Sequence, residues 1–260
     1  MKKNFLLLML LLMFIVIGCG GNSDAREKIV VGVDDEFAPM GFRDDSGELV
    51  GFDIDLAKEV ARRMKVDIEF KPIVWENKRA ELESGNVDMI WNGLDIIDEY
   101  RSYMIFSKPY MDSRQILLVK HGNPEEIHSE SALAGKVVGT QAGSNSEDHV
   151  NKMPRLKNSF AGFKTYRSFK DAFADLEAGG VDALIVDEIV ARYEIARRPK
   201  NFELVEATIG SVTKIGIGFR KDNVELRDRI QKVFDEMVKD GTAKKISRQW
   251  FQADLINHKK

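Results

Sequence analysis

The segment Leu82-Glu83-Ser84-Gly85-Asn86-Val87-Asp88-Met89-Ile90 returns 94 residues later as Leu176-Glu177-Ala178-Gly179-Gly180-Val181-Asp182-Ala183-Leu184. Each copy reads as a helix end, a Gly stop and a short buried strand. A solenoid repeats every ~20–50 residues, so this longer spacing points to two similar lobes. Chance similarity of two helix–turn–strand units is the alternative. Other periodicities make the lobes α/β. Residues 29–33 form a short apolar run, as in a buried parallel strand. From Asp53 onward, Leu56, Ala57, Val60, Ala61 and Met64 recur at helical spacing, and Val66, Ile68 and Phe70 then alternate with charged residues. Strand, helix, strand is a βαβ unit with a parallel sheet. In the second half, residues 136–140 read as a strand, Gly143-Ser144 as a turn, and residues 168–178 as a helix. Leu226, Ile230, Val233 and Met237 form the stripe of a further helix, closed by Gly241. Open α/β sheets bind ligands beyond the carboxyl ends of their strands. Those ends are Asp34, Trp91-Asn92, Gln141 to Ser144, and Asp187.

Composition narrows the function. The 260 residues are 43% hydrophobic and 31% charged, which is globular, with a net charge of −3 that argues against a nucleic-acid binder. One Cys rules out a disulfide framework and a Cys-based zinc site. His121, His128, His149 and His258 are scattered, so no metal site is expected. There is no G-x-S-x-G, H-E-x-x-H or Walker motif. Asp53 and Asp55 open a helix and suit its dipole better than acid–base chemistry.

Lys2 and Lys3 precede an apolar run over residues 5–17. Its length falls short of the roughly 17–25 residues that span a bilayer, and matches the core of an export signal. The run ends in Val16-Ile17-Gly18-Cys19, which resembles the lipobox of bacterial lipoproteins. That resemblance implies cleavage before Cys19 and acylation of its sulfur, as with palmitate. An ordinary signal with an incidental Cys, or an uncleaved anchor, is the alternative. Residues 1–18 are then the signal peptide and 19–28 a flexible tether. The folded part is expected outside the cytoplasm, on the periplasmic or extracellular side, lipid-anchored to a membrane.

Residues 51–64, GFDIDLAKEVARRM, resemble the signature of the polar amino-acid family of extracellular solute-binding proteins, which serve ABC importers. DDEFAP (34–39), WNG (91–93), FSKPY (106–110), QAGS (141–144), VDE (186–188), DGT (240–242) and Trp250-Phe251 follow in family order. The resemblance covers essentially all of the mature chain. It implies a two-lobed periplasmic-binding-protein-like (type II) fold with two hinge crossings, near residues 110–114 and 214–218. Lobe 1 comprises residues 29–111 and 218–260, and lobe 2 residues 112–217. It also implies a monomer that closes on a small ligand and meets an ABC permease, with no cofactor and no catalysis.

The resemblance assigns Asp34 to the ligand side chain, Phe37 and Trp75 to two apolar walls, and Asp187 to the ligand's α-ammonium. Gln141, Gly143, Ser144 and Asn145 match the anion-facing turn of lobe 2, and Asn92 and Gly93, from the WNG string, are expected among the ligand-binding residues. The residues themselves allow plainer roles: a turn cap for Asp34, core packing for the aromatics, a helix N-cap for Asp187. The chain also departs from the family pattern. Asp95 stands where the family usually has Thr or Ser. Tyr100 stands where it has the Arg that clamps the α-carboxylate, with Arg101 one place on. A Tyr does not replace a bidentate Arg. Two like charges ~4 Å apart at an effective dielectric of ~20 repel by about 4 kcal/mol, roughly a thousandfold in affinity. Either Arg101 swings in and neutralises Asp95, or the ligand lacks a free α-carboxylate. Asp34, Asp95 and Asp187 together favour a cationic ligand, a basic amino acid or an amine. A dehydratase-like enzyme on the same fold, a sensor partner and a surface adhesin are the rival readings.

Overall fold

The computed structural model describes residues 26–257; the expected export signal, Cys19, most of the expected tether and His258 lie outside the described residues. The elements run β1 (Lys28–Val33), β2 (Glu36–Phe37), β3 (Gly41–Arg43), β4 (Leu49–Val50), α1 (Phe52–Met64), β5 (Asp67–Pro72), a 3₁₀ turn (Trp75–Asn77), α2 (Lys78–Glu83), β6 (Met89–Ile90), α3 (Asp98–Arg101), β7 (Met104–Phe106) and β8 (Met111–Lys120). Then follow β9 (Val137–Gln141), α4 (Asn145–Lys152), α5 (Pro154–Lys157), β10 (Gly162–Tyr166), α6 (Phe169–Ala178), β11 (Ala183–Asp187), α7 (Glu188–Arg197), β12 (Phe202–Ile215), β13 (Gly218–Arg220), α8 (Val224–Lys239) and α9 (Thr242–Phe251). Two five-stranded sheets result, ordered β5-β1-β6-β13-β7 and β10-β9-β11-β8-β12. A small sheet β2-β3-β4 lies beside the first.

The repeat is structural. Gly85 and Gly179 both stop their helices at positive φ, +74° and +82°. Asp88 accepts from the Val30 amide at 2.8 Å and Asp182 from the Val137 amide at 2.7 Å. Each Asp therefore ties its strand to the first parallel strand of its own sheet, β1 or β9.

Packing follows the helical stripes. On α1, Phe52, Ile54, Leu56, Ala57 and Val60 are buried, each large side chain contributing about 1.5–3 kcal/mol. On α8 the buried set is Leu226, Ile230, Phe234 and Met237, with Val233 only partly covered. The stripe passes through Phe234 because its ring packs on Trp91 and Tyr110, 6.1 and 5.6 Å between centroids. Strand β9 begins one residue later than periodicity suggests. The Lys136 amide instead closes the preceding turn on the Leu133 carbonyl.

Strands β8 and β12 cross between the sheets and pair antiparallel, with Met111 opposite Ile215 and Ser113 opposite Thr213. Their register slips between Ile209 and Thr213, a bulge that raises local twist where the chain passes from one sheet to the other. The segment around Asp95 pairs with the end of β12: the Ile96 amide donates to the Lys214 carbonyl at 2.7 Å.

Candidate functional site

The site is built from strand ends. Phe37 comes from β2, Trp75 from the 3₁₀ turn after β5, Gly93 and Asp95 from the turn after β6, and Tyr100 from α3. Gln141, Ser144 and Asn145 come from the end of β9 and the start of α4, and Asp187 from the end of β11. These nine residues line one cavity of about 20 Å³ between the two sheets. Small-molecule pockets measure roughly 300–1,000 Å³, so the lobes must part to admit an amino acid.

Phe37 and Trp75 face each other as parallel plates, 6.5 Å between centroids and 4° between planes. Planar cations are attracted to such faces. Asp34 does not line the cavity but is hydrogen-bonded to Gln141, which does. One carboxylate oxygen accepts from the Glu36 amide at 3.0 Å, so it does hold its own turn. The other accepts from the Gln141 amide at 2.5 Å, across the cleft. Burial pushes its carboxyl up to about 6, against the lowering effect of the Gln141 hydrogen bond.

Asp187 occupies the N-cap position of α7 but makes no capping bond. Its Oδ1 accepts from the Gln115 amide at 2.6 Å and the Ser113 hydroxyl at 3.3 Å. Asp95 accepts from the Thr213 hydroxyl and lies within hydrogen-bond reach of Asn145 and of the Ser113 hydroxyl, whose one proton goes to Asp187. Burial raises both carboxyls, and the charge of Asp187 raises Asp95 further.

Tyr100 lines the cavity, and its hydroxyl donates to the Gly143 carbonyl at 2.9 Å. Gly143 lies against lobe 1: a Cβ there would stand 2.7 Å from Glu76 Cα, and its φ is +70°. Ser144 caps α4 by accepting from the Glu147 amide. The Gly93 amide is taken by Asp53, which also accepts from the Tyr110 hydroxyl. Asp53 is therefore more than a dipole partner, since it anchors the turn that carries Asp95.

Four expected residues do not line the cavity: Asp34, Gly143, Asn92 and Arg101. Asn92 is buried with its amide against Gly41, a contact a Cβ at Gly41 would reach at 2.7 Å. Arg101 is turned outward, more than half exposed, paired with Asp98 at 3.5 Å and laid over the Phe106 ring. It does not neutralise Asp95. On α3 the one-residue step from Tyr100 to Arg101 is about 100° of rotation, which puts the two side chains on different faces.

The sequence reading missed a cation. Lys78, at the start of α2, is 3% exposed and donates to the Gly143 carbonyl at 2.6 Å, over the Tyr100 ring at 4.5 Å. Burial pulls its ammonium down to about 8, against the charges of Glu147 and Glu76. Its only sequence signal is its place one turn after Trp75. Lys78 and Tyr100 thus converge on one carbonyl of lobe 2. Replacing Lys78→Met removes a charged hydrogen bond, about 1.5–3 kcal/mol. Ligand release, read by stopped-flow fluorescence, should quicken roughly tenfold or more, and Tyr100→Phe should have a smaller effect. Equal release rates in wild type and Lys78→Met would dismiss this latch. Ion pairs at the rim, Glu36 with Arg167 and Lys170 and Glu99 with Lys152, also join the lobes. Exposed pairs of this kind add little.

Among the described residues there is no cluster of metal-ligating side chains and no helix long and apolar enough to cross a membrane. The model of the bacterial extracellular solute-binding proteins, family 3, matches residues 29–253. The L-cystine-binding protein TcyJ of Escherichia coli is 31% identical over 230 residues, covering 88% of this chain and 85% of that one. An ABC uptake transporter substrate-binding protein from Streptococcus pneumoniae, solved with bound histidine, superposes with a TM-score of 0.84 at 33% identity, covering 88% and 94% of the two chains. An ancestral arginine-binding protein bound to arginine gives 0.81 at 40% identity, covering 87% and 99%.

Proposed function

This chain belongs to the bacterial extracellular solute-binding proteins, family 3, and on that premise we propose that it captures a basic amino acid between its lobes and delivers it to an ABC permease. The observation that carries the ligand class is the parallel Phe37–Trp75 pair with the buried carboxylates of Asp34, Asp95 and Asp187 around it. A flat guanidinium or an ammonium suits the ring faces, and Asp34 takes its charge when Gln141 gives up its hydrogen bond. The α-ammonium goes to Asp187 and the α-carboxylate to the turn at Ser144-Asn145, where α4 begins and its dipole favours an anion. Capture shifts the lobes to the closed form, which the permease reads. We assign no reaction to the cleft. The anchor is an acylated Cys19, which leaves the monomer tethered outside the cytoplasm.

Thermal unfolding against amino acids, amines and small peptides tests this. A ligand at a hundredfold its dissociation constant stabilises by about 2.7 kcal/mol, a rise of roughly 5–10 °C for a chain of this size. Arginine or lysine should give that rise and glutamate none. Silence across the whole panel overturns the reading. A second reading, a carboxylate-free amine, draws on one observation: Arg101 faces away while Asp95 lines the cavity.

A further inference from the structure

Asp95 and Asp187 line one small cavity, and the Ser113 hydroxyl sits between them. Each element around Asp95 contributes groups that face it or lie close by. Strand β11 brings Asp187, β8 brings Ser113 and Asp112, and β12 brings Thr213 and Lys214. Helix α4 brings Asn145, Glu147 and Asp148, α3 brings Tyr100, and Tyr110 lies beyond. The bases of these and neighbouring elements are directed elsewhere. Lys214 pairs with Asp112, Lys152 with Asp148 and Glu99, Arg101 with Asp98, Arg114 with Glu188, and Lys78 binds the Gly143 carbonyl. Two carboxylates sharing a water-poor site do not both ionise near neutrality; one keeps a proton.

An amino acid brings opposite charges to this pair. Its ammonium needs an ionised carboxylate. The single proton of the Ser113 hydroxyl goes to Asp187, which also accepts from the Gln115 side-chain amide, so Asp187 is the ionised partner. Asp95 takes the Thr213 hydrogen bond on Oδ1 alone and leaves Oδ2 able to carry a proton. Its carboxylate goes to the start of α4, where Asn145 already reaches Asp95. At that end an ionised Asp95 repels the ligand, whereas a neutral one offers it an O–H. We propose that Asp95 meets the bound amino acid as a neutral carboxylic acid and donates a hydrogen bond to its carboxylate, so that binding is coupled to one proton. This rests on the amino-acid reading above and says how a pocket without the Arg clamp still takes a carboxylate. No bond other than the O–H···O contact is made, and the proton stays on Asp95.

The sign follows from which form binds. Burial, then the charge of Asp187, holds Asp95 up at about 7. The binding form is the protonated one, so affinity is full below that value and is lost as pH rises through it, tenfold per unit in the limit. Calorimetric titration from pH 6 to 8.5 in buffers of different ionisation enthalpy reads both affinity and protons. Arginine and lysine should bind the wild-type protein with falling affinity above pH ~7 and with net proton uptake. Agmatine and cadaverine, which keep the side-chain cation and lack the carboxylate, should show affinity that rises with pH. Asp95→Asn has an amide donor that does not titrate, and its affinity for arginine should no longer follow the wild-type slope. Lys78, held at about 8, titrates in both proteins and is subtracted by that comparison. Infrared difference spectra of the arginine-loaded protein should carry the band of a neutral carboxylic acid that Asp95→Asn lacks. Arginine binding with flat affinity, proton release, or tighter binding of agmatine than arginine overturns the proposal and leaves the amino-acid or amine reading standing. Failure of every amino acid to bind removes the premise and the proposal together.

Discussion

Asp187→Asn is expected to weaken amino-acid binding by about 30- to 4,000-fold, the 2–5 kcal/mol lost when one partner of a buried charge pair is removed. The prediction separates binding from folding. Asp187 makes no capping bond to α7, so an Asn there leaves the helix start as it was. Burial already works against its charge, so a neutral amide in the same place should leave the unfolding midpoint of the ligand-free protein unchanged or raise it. Calorimetry with arginine and a denaturant titration of the same samples check the two halves. An intact affinity would remove Asp187 from the site, and a large loss of stability would return it to a structural role.

Gly143→Ala is expected to lower affinity by about 5- to 150-fold, from an overpacking cost of about 1–3 kcal/mol that falls on the closed form alone. The added methyl stands 2.7 Å from the backbone of Glu76 in the opposite lobe. Backbone cannot step aside as a side-chain tip does, so the overlap is relieved by parting the lobes. The substitution also carries a backbone cost, because φ is +70°. Gly179→Ala supplies the control: φ is +82° and nothing lies within 4 Å. Both variants should lose similar stability, and only Gly143→Ala should lose affinity and show a larger radius in small-angle scattering with ligand. Equal affinities in the two would refute closure at this contact.

Much of the frame is written locally. The stripe on α1, the Gly stop within each repeat copy and the alternation in β5 are short-range signals, and each appears where it was read. The paired Asp residues were visible as part of the repeat, but their bonds to the neighbouring strands were not. Of the site, the strand ends were legible, because the carboxyl ends of parallel strands are where a chain of this pattern exposes its turns. Nine expected residues, Trp75 and Tyr100 among them, line one cavity, whereas Asp34, Asn92, Arg101 and Gly143 do not. Arg101 and Asn92 illustrate the limit. Being adjacent in sequence to a cavity residue says nothing about direction when the local structure is a helix turn or a buried strand end.

The amino-acid sequence by itself determined two α/β lobes, their repeat, the family and the set of acids at the strand ends, because each of these depends on periodicity or on residue order. Only the tertiary structure decided which charges meet. Lys78 reaches Gly143 across 65 positions of chain, Gln141 reaches Asp34 across 107, and Thr213 reaches Asp95 across 118. These pairings join elements of the two sheets, between which the chain passes at β8 and β12. The ionisation of Asp34, Asp95 and Asp187 follows from the same burial, since a carboxyl's proton is set by the water and charges around it in space.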